Sequence, residues 1–251
     1  QQGNVEVSSS LKQTQPAQIT QVLNTIRMLY PSNVKQLWLS PLSLYSIPCD
    51  TEFSIGYIDD YYLFTQPKLL LDFKVNHSYV FVGKSYQERN NIAKLLLYRL
   101  QQRNQTVFII DDLFFKNNSN LNLFHNDNQE VLCDIFSNLK RNQNSYLFIT
   151  DLTLFLQNDI NREYLMKFLE MNQKYNIRLF LLNQSVVTIP YRILTLISSK
   201  VSLSNDNVQE IQALFSTTEK CIQKKNGYGL VMLHQNLLEC SFFQMGDIHE
   251  S

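Results

Sequence analysis

The stretch that decides the fold is Tyr79-Val80-Phe81-Val82-Gly83-Lys84-Ser85-Tyr86-Gln87-Glu88-Arg89-Asn90-Asn91-Ile92. Four residues of strand character end on a glycine, and Ile92, Leu95, Leu96 and Leu100 then recur at three- and four-residue spacing. Such a switch of period predicts strand, turn and helix. The rhythm continues downstream. Thr106 to Ile110 predicts a strand, 116–128 an Asn-rich loop, and Val131, Leu132, Ile135, Phe136 and Leu139 a helix. Tyr146 to Ile149, Arg178 to Leu182 and Lys200 to Leu203 predict strands, separated by helical Tyr164 to Leu169 and followed by helical Val208, Ile211, Leu214 and Phe215. Gly229 to Leu233 and Leu238 to Phe243 predict a closing hairpin. Apolar strands alternating with amphipathic helices imply parallel strands covered on both faces. The expectation is an α/β domain with a mainly parallel sheet, whose ligands would sit at the carboxyl ends of the strands.

Upstream the pattern differs. Residues 1–18 are polar and read as a linker, and Ile19, Val22, Leu23, Ile26 and Leu29 predict a helix that Pro31 ends. Between 33 and 72, Pro41, Pro48 and Pro67 punctuate extended segments at Phe53 to Ile58 and Lys68 to Leu71.

Composition narrows the chemistry. Lys and Arg number 22 and Asp and Glu 22, so the net charge is zero. Duplex nucleic acid and anionic membranes draw their affinity from a basic excess, which speaks against either as the main partner. The cysteines, Cys49, Cys133, Cys221 and Cys240, are widely spaced and read as reduced cytosolic thiols, with pairing into disulfides the alternative. No apolar run approaches the ~20 residues that span a bilayer. The chain starts at Gln1 rather than Met, and is expected to be part of a longer or processed protein. His77, His125, His234 and His249 have no metal-ligand spacing. No metal site and no catalytic residue is expected.

The turn after Val82 occupies the place of a phosphate-binding loop, which reads Gly, four residues, then Gly-Lys-Ser/Thr opening a helix. Gly83 holds the first position, with Lys84 and Ser85 beside it. The second glycine is Glu88, the lysine is Arg89 and the hydroxyl residue is Asn90. Glu88 adds negative charge where phosphate would lie, and like charges about 4 Å apart repel by roughly 4 kcal/mol at an effective dielectric near 20. Arg89 is a planar fork in place of a compact ammonium. The turn is either a degenerate nucleotide loop or an ordinary strand-turn-helix connection. Only six glycines occur, where average usage would give roughly 17. A second candidate is the acid ending the strand at Tyr146 to Ile149, as Thr150-Asp151 or Asp151-Leu152; either way one member of the usual polar pair is missing. Asp111-Asp112, ending the preceding strand, is an acidic pair or a solvated strand end.

Together these pieces resemble the FtsK/SpoIIIE-type ATPase modules of type VII (VIIb) secretion coupling proteins. Trp38-Leu39-Ser40-Pro41-Leu42 is similar to a stretch that precedes such modules, and Gly56-Tyr57-Ile58-Asp59-Asp60 with Gln66 to the segment after it. Asn91 to Leu96 runs like the family's helix, Gln184 matches its phosphate-sensing glutamine, and Gly227-Tyr228-Gly229-Leu230-Val231 with Phe243-Gln244 its closing hairpin. The resemblance implies a RecA-like P-loop NTPase fold over 19–251, with an entry segment at 19–72 and a core at 73–246. It implies a vestigial nucleotide site at Gly83, Lys84, Ser85, Glu88, Arg89, Asn90, Thr150, Asp151 and Gln184. The family uses ATP and Mg²⁺; the changes at 88–90 and 150–152 leave no cofactor expected here. Implied partners are neighbouring ATPase modules of one polypeptide and secreted WXG100-type and effector substrates, at the cytoplasmic face of a membrane that the rest of the parent protein spans. An active module with an atypical loop and a DNA translocase module are the alternatives.

Overall fold

The computed structural model describes residues 16–29, 40–48, 52–103, 107–111, 123–124, 137, 145–221, 223, 225–233 and 235–245. The chain divides into two compact units, Gln1–Trp38 and Leu39–Ser251. In the first, helix α1 (Pro16–Leu29) starts three residues earlier than the periodicity predicts. Proline is well placed in a first helical turn, where its missing N–H has no partner to lose. The side chains of Val22, Leu23, Ile26, Met28 and Leu29 on α1 are exposed.

The second unit is built on one sheet, with strands β1 (Ser54–Asp59), β2 (Lys68–Leu70), β3 (Ser78–Val82), β4 (Val107–Ile110), β5 (Leu123–Phe124), β6 (Tyr146–Ile149), β7 (Arg178–Asn183), β8 (Ser199–Leu203), β9 (Tyr228–Leu233) and β10 (Asn236–Phe242). Their order across the sheet is β2-β1-β10-β9-β8-β3-β7-β6-β4-β5. From β8 to β5 every pairing is parallel, and from β8 outward to β2 every pairing is antiparallel. The chain enters the parallel part at β3, moves to one side through β4, then returns past β6 and β7 to β8 on the other side of β3. β3 is therefore where the strand order reverses, the place where open α/β sheets put their ligands.

The strands are apolar on both faces because both faces are covered. Val80 and Val82 face one core with Leu147, Ile149, Leu179 and Leu181; Tyr79 and Phe81 face the other with Phe148, Phe180 and Leu182. Helix α2 (Tyr86–Gln101) packs into the second core through Ile92, Leu95, Leu96 and Leu100. The first is closed by α3 (Leu152–Phe155), α4 (Asp159–Tyr175), α5 (Tyr191–Leu196) and α6 (Val208–Phe215). Phe180 centres the second core, stacking on Tyr79 and Tyr146 at 5.9 and 6.0 Å and meeting Phe73 edge-on at 5.9 Å. Each large side chain buried in this way stabilises the fold by about 1.5–3 kcal/mol.

The expected strands recur within a residue or two. The segment predicted as loop at 116–128 contains β5, which extends β4 through parallel pairs Ile109 with Leu123 and Ile110 with Phe124. Two apolar residues are too few for a strand period, so only the neighbouring strand defines it. The short helices α3 and α5 were not expected either, for the same reason. The helix predicted at 131–139 lies outside the described residues except at Ser137.

Gly56 shows how tightly the antiparallel half is built. It pairs with Phe242, and a Cβ there would collide with the backbone carbonyl of Ser241 on β10. Backbone cannot move aside as a side chain can, so Gly56→Ala should lower unfolding free energy by about 3 kcal/mol, measured by urea titration.

Candidate functional site

Gly83 leaves β3 with its N–H committed to the Asn183 carbonyl of β7 at 3.1 Å. A Cβ at Gly83 would lie 2.6 Å from the Leu203 Cβ, so the glycine is required here by packing against β8. The turn then holds only Gly83, Lys84 and Ser85 before α2 starts at Tyr86. Ser85 caps the helix, accepting from the Glu88 N–H at 3.4 Å, and its carbonyl takes the Arg89 N–H at 3.2 Å. Glu88, Arg89 and Asn90 thus lie within α2, and of the four residues a phosphate loop would place between its glycines, Tyr86 and Gln87 are already helical.

Arg89 is buried, and its Nη1 donates to the Gly83 carbonyl at 2.6 Å and the Lys84 carbonyl at 2.9 Å. A phosphate cradle turns N–H groups inward; this turn presents carbonyl oxygens to an internal cation. Burial pulls the guanidinium below its usual pKa, and the Asp151 carboxylate opposes that shift. Glu88 is buried on another side of the helix, where its Oε1 accepts the Gly227 N–H at 3.0 Å. Burial pushes the Glu88 carboxyl up from 4.5, opposed by the Gly227 N–H and the Ser204 side chain. Asn90 Oδ1 is buried without a hydrogen-bond partner.

The remaining predicted residues hold the fold's own groups. Asp151 caps α3, accepting the Leu154 N–H at 2.9 Å. Thr150, buried, donates to Asp111 Oδ1 at 2.5 Å across the β4–β6 pairing. Asp111 is buried, while Asp112 lies outside the described residues. Gln184 is exposed. Lys84 Nζ stands 3.8 Å from Asp206 and 3.9 Å from Glu210. The structure therefore brings Gly83, Lys84, Ser85, Glu88 and Arg89 together around one turn, with Thr150 and Asp151 at the end of β6, two strands away. Among the described residues, no group of three or more His, Cys, Asp or Glu side chains is placed to hold a metal.

Asn183, the last residue of β7, organises this end of the sheet and carries no sequence signal. Its Oδ1 accepts from the Thr153 N–H at 3.0 Å and Oγ1 at 2.7 Å, and its Nδ2 donates to the Ser185 carbonyl at 2.5 Å and Thr188 Oγ1 at 2.9 Å. Three groups that ATP and Mg²⁺ would need already serve other partners: the turn backbone presents its carbonyls to Arg89, Asp151 caps a helix and Thr150 binds Asp111. The residues present do not fit a nucleotide–metal complex in this arrangement.

No protein-family model matches the chain, and no curated protein matches it. Solved structures do. EssC (ATPases 2 and 3) from Geobacillus thermodenitrificans aligns over 92% of this chain and 50% of its own, at 12% identity and TM-score 0.60. Thermomonospora curvata EccC (ATPases 2 and 3) in complex with a signal sequence peptide aligns over 92% and 48%, at 14% and 0.60. The pCW3 conjugation coupling protein TcpA, solved with ATPγS, aligns over 85% and 71%, at 12% and 0.61. The chain has the fold of these P-loop ATPase domains and spans about half the length of the EssC and EccC structures.

Glu88 offers a test of the turn. An acid whose native pKa is raised above its unfolded value destabilises the fold once ionised. Stability should therefore fall as pH rises from about 4.5 through the raised native value, and level off above it. Glu88→Gln keeps an acceptor for Gly227 without the charge and should flatten this dependence in pH-resolved urea titrations. Glu88→Ala orphans the Gly227 N–H and should be about 1–3 kcal/mol less stable than the Gln variant.

Proposed function

We propose that the chain is a non-hydrolysing ATPase-fold module of a type VII-like secretion motor. Its role would be substrate recognition, coupling, or regulation of neighbouring active modules at the cytoplasmic face of a membrane. The observation that carries the reading is Arg89, whose guanidinium donates to the Gly83 and Lys84 carbonyls from inside the turn. A bound phosphate would need that turn reversed so that N–H groups point inward, and Arg89 would have to leave.

Two further facts support the motor context. The fold is that of EssC and EccC ATPase domains, and the EccC structure holds a signal sequence peptide. The pattern from Trp38 to Gln244 resembles the same family in order and spacing. By this reading the partners are sister modules of one polypeptide and small helical secreted proteins with their effectors, and nucleic acid is not a partner.

An active module with an atypical loop is the second reading. It is favoured by the cation retained at Arg89 and by Lys84, half-exposed beside the turn. Mg-ATP titration with thermal unfolding separates the two. A nucleotide at 100 times its dissociation constant would add about 2.7 kcal/mol of stability. The expected result is no shift at millimolar Mg-ATP; a clear stabilisation that disappears in Arg89→Ala overturns the non-hydrolysing reading. Pull-down of secreted substrates by the chain should succeed at tens of micromolar, and failure would leave regulation of neighbouring modules as the role. Salt-sensitive DNA binding in the micromolar range would instead support a translocase.

A further inference from the structure

The turn joining β1 to β2 is a rigid apolar tip. Tyr61, Tyr62, Leu63 and Phe64 follow one another there, with 48, 56, 72 and 58% of their surface exposed. The tip is held in shape from within. Asp60 and Thr65 exchange two backbone hydrogen bonds of 3.0 and 3.1 Å, and Asp60 Oδ1 accepts from the Tyr62 and Leu63 N–H groups at 3.1 and 3.0 Å. The rings of Tyr61 and Tyr62 touch, with centroids 4.4 Å apart. Phe64 sits at φ +52°, in the left-handed region. That conformation costs a bulky residue about 1–2 kcal/mol, and the exposed ring returns little packing to this fold.

Acid surrounds the tip's base. Asp59 on β1 lies directly opposite Glu239 on β10, and burial, with the Asp59 charge adding to it, pushes the Glu239 carboxyl up. Like charges directly across a strand pair are destabilising. Asp59 accepts from Gln66 and Glu239 from Gln223, and among the described residues neither has a cation beside it. A partner with an apolar cavity and a basic rim would cover the exposed rings and offset the repulsion between Asp59 and Glu239. The acid speaks against an anionic bilayer as that partner.

Such a cavity exists on this chain. A groove of about 410 Å³ lies between α4 and α5, floored by Met166, Pro190 and Ile193 and bordered by Arg162, Lys167 and Arg192. Glu163 and Glu170 also line it, leaving one excess positive charge. Arg162 is engaged with Asp159 at 3.1 Å, whereas Lys167 and Arg192 are exposed. The groove belongs to helices covering one face of the parallel strands, and the tip projects from the far antiparallel edge of the sheet.

We propose that the Tyr61–Phe64 tip of one copy docks in the α4–α5 groove of a second copy, with Lys167 and Arg192 meeting Asp59 and Glu239. The contact is head-to-tail, since tip and groove are different surfaces, so a pair keeps one groove free on one copy and one tip free on the other for further neighbours. The tip contributes roughly 400 Å² of exposed side chain, at 150–250 Å² per aromatic ring when whole. That is about half of the ~800 Å² per partner of a stable complex, so the association is weak and reversible.

Sedimentation equilibrium of the full chain over a wide concentration range tests this. The average mass should rise with concentration, and less so as salt increases. Leu63→Ser with Phe64→Asn removes the tip, and Lys167→Glu with Arg192→Glu reverses the rim. All four side chains are exposed, so melting temperatures should stay within a few degrees. Each double variant alone should remain monomeric, and an equimolar mixture should recover heterodimers, because each partner keeps the surface the other lacks. Wild-type chain that stays monomeric throughout would overturn the proposal. So would self-association insensitive to either variant, or variants that fail to complement. Tip-dependent co-sedimentation with anionic phospholipid vesicles, without self-association, would assign the tip to a membrane instead.

Discussion

A guanidinium removed from water must be met by acceptors, and Arg89 meets two carbonyls of the turn that precedes its own helix. The penalty for leaving such a charge unmatched is several kcal/mol, large against the whole stability of a domain. The backbone of Gly83 and Lys84 is therefore held with its oxygens inward, and that orientation keeps the connection short. With the turn closed, α2 starts at Tyr86, and the helix carries Glu88 toward Gly227 and the hairpin, where its carboxylate takes a backbone N–H. Arg89 so sets the polarity of the turn, and Glu88, one residue before it, attaches the same helix to the antiparallel strands.

The fold was legible because both its periods are strong. Tyr79–Val82, Tyr146–Ile149 and Leu179–Leu182 are apolar throughout, and only a sheet covered on both faces uses such strands; Val80 and Phe81 duly face opposite cores. β5, α3 and α5 were not legible, since a two-residue strand and helices of one or two turns are too short to display a period and exist through their neighbours. The turn after β3 was located correctly by Gly83. Its conformation was not readable, because a glycine that allows approach of phosphate and one that allows approach of Leu203 are the same letter.

Asp151 and Asn183 show the same ambiguity in polar residues. An acid at the end of a strand can hold a metal or cap the next helix, and Asp151 does the second through the Leu154 N–H. Asn183 reads as a strand end facing water, yet it is buried and joins β7 to Thr153, Ser185 and Thr188. Its role depends on four hydrogen bonds to three residues, the outermost of which, Thr153 and Thr188, lie 35 positions apart. No local pattern carries that information.

Asn91 gives this architecture a mechanical character. Its Nδ2 donates to the Phe243 carbonyl at 2.9 Å and its Oδ1 accepts the Met245 N–H at 2.9 Å, so one side-chain amide pairs with backbone as a strand would. The Phe243 N–H binds Ile55 and the Gln244 N–H binds Tyr45. Tension on the chain beyond Met245 is thus shared among α2, β1 and the segment before it, with hydrogen bonds that must break together instead of unzipping one at a time. One branch of that load path runs into α2, the helix that carries Arg89.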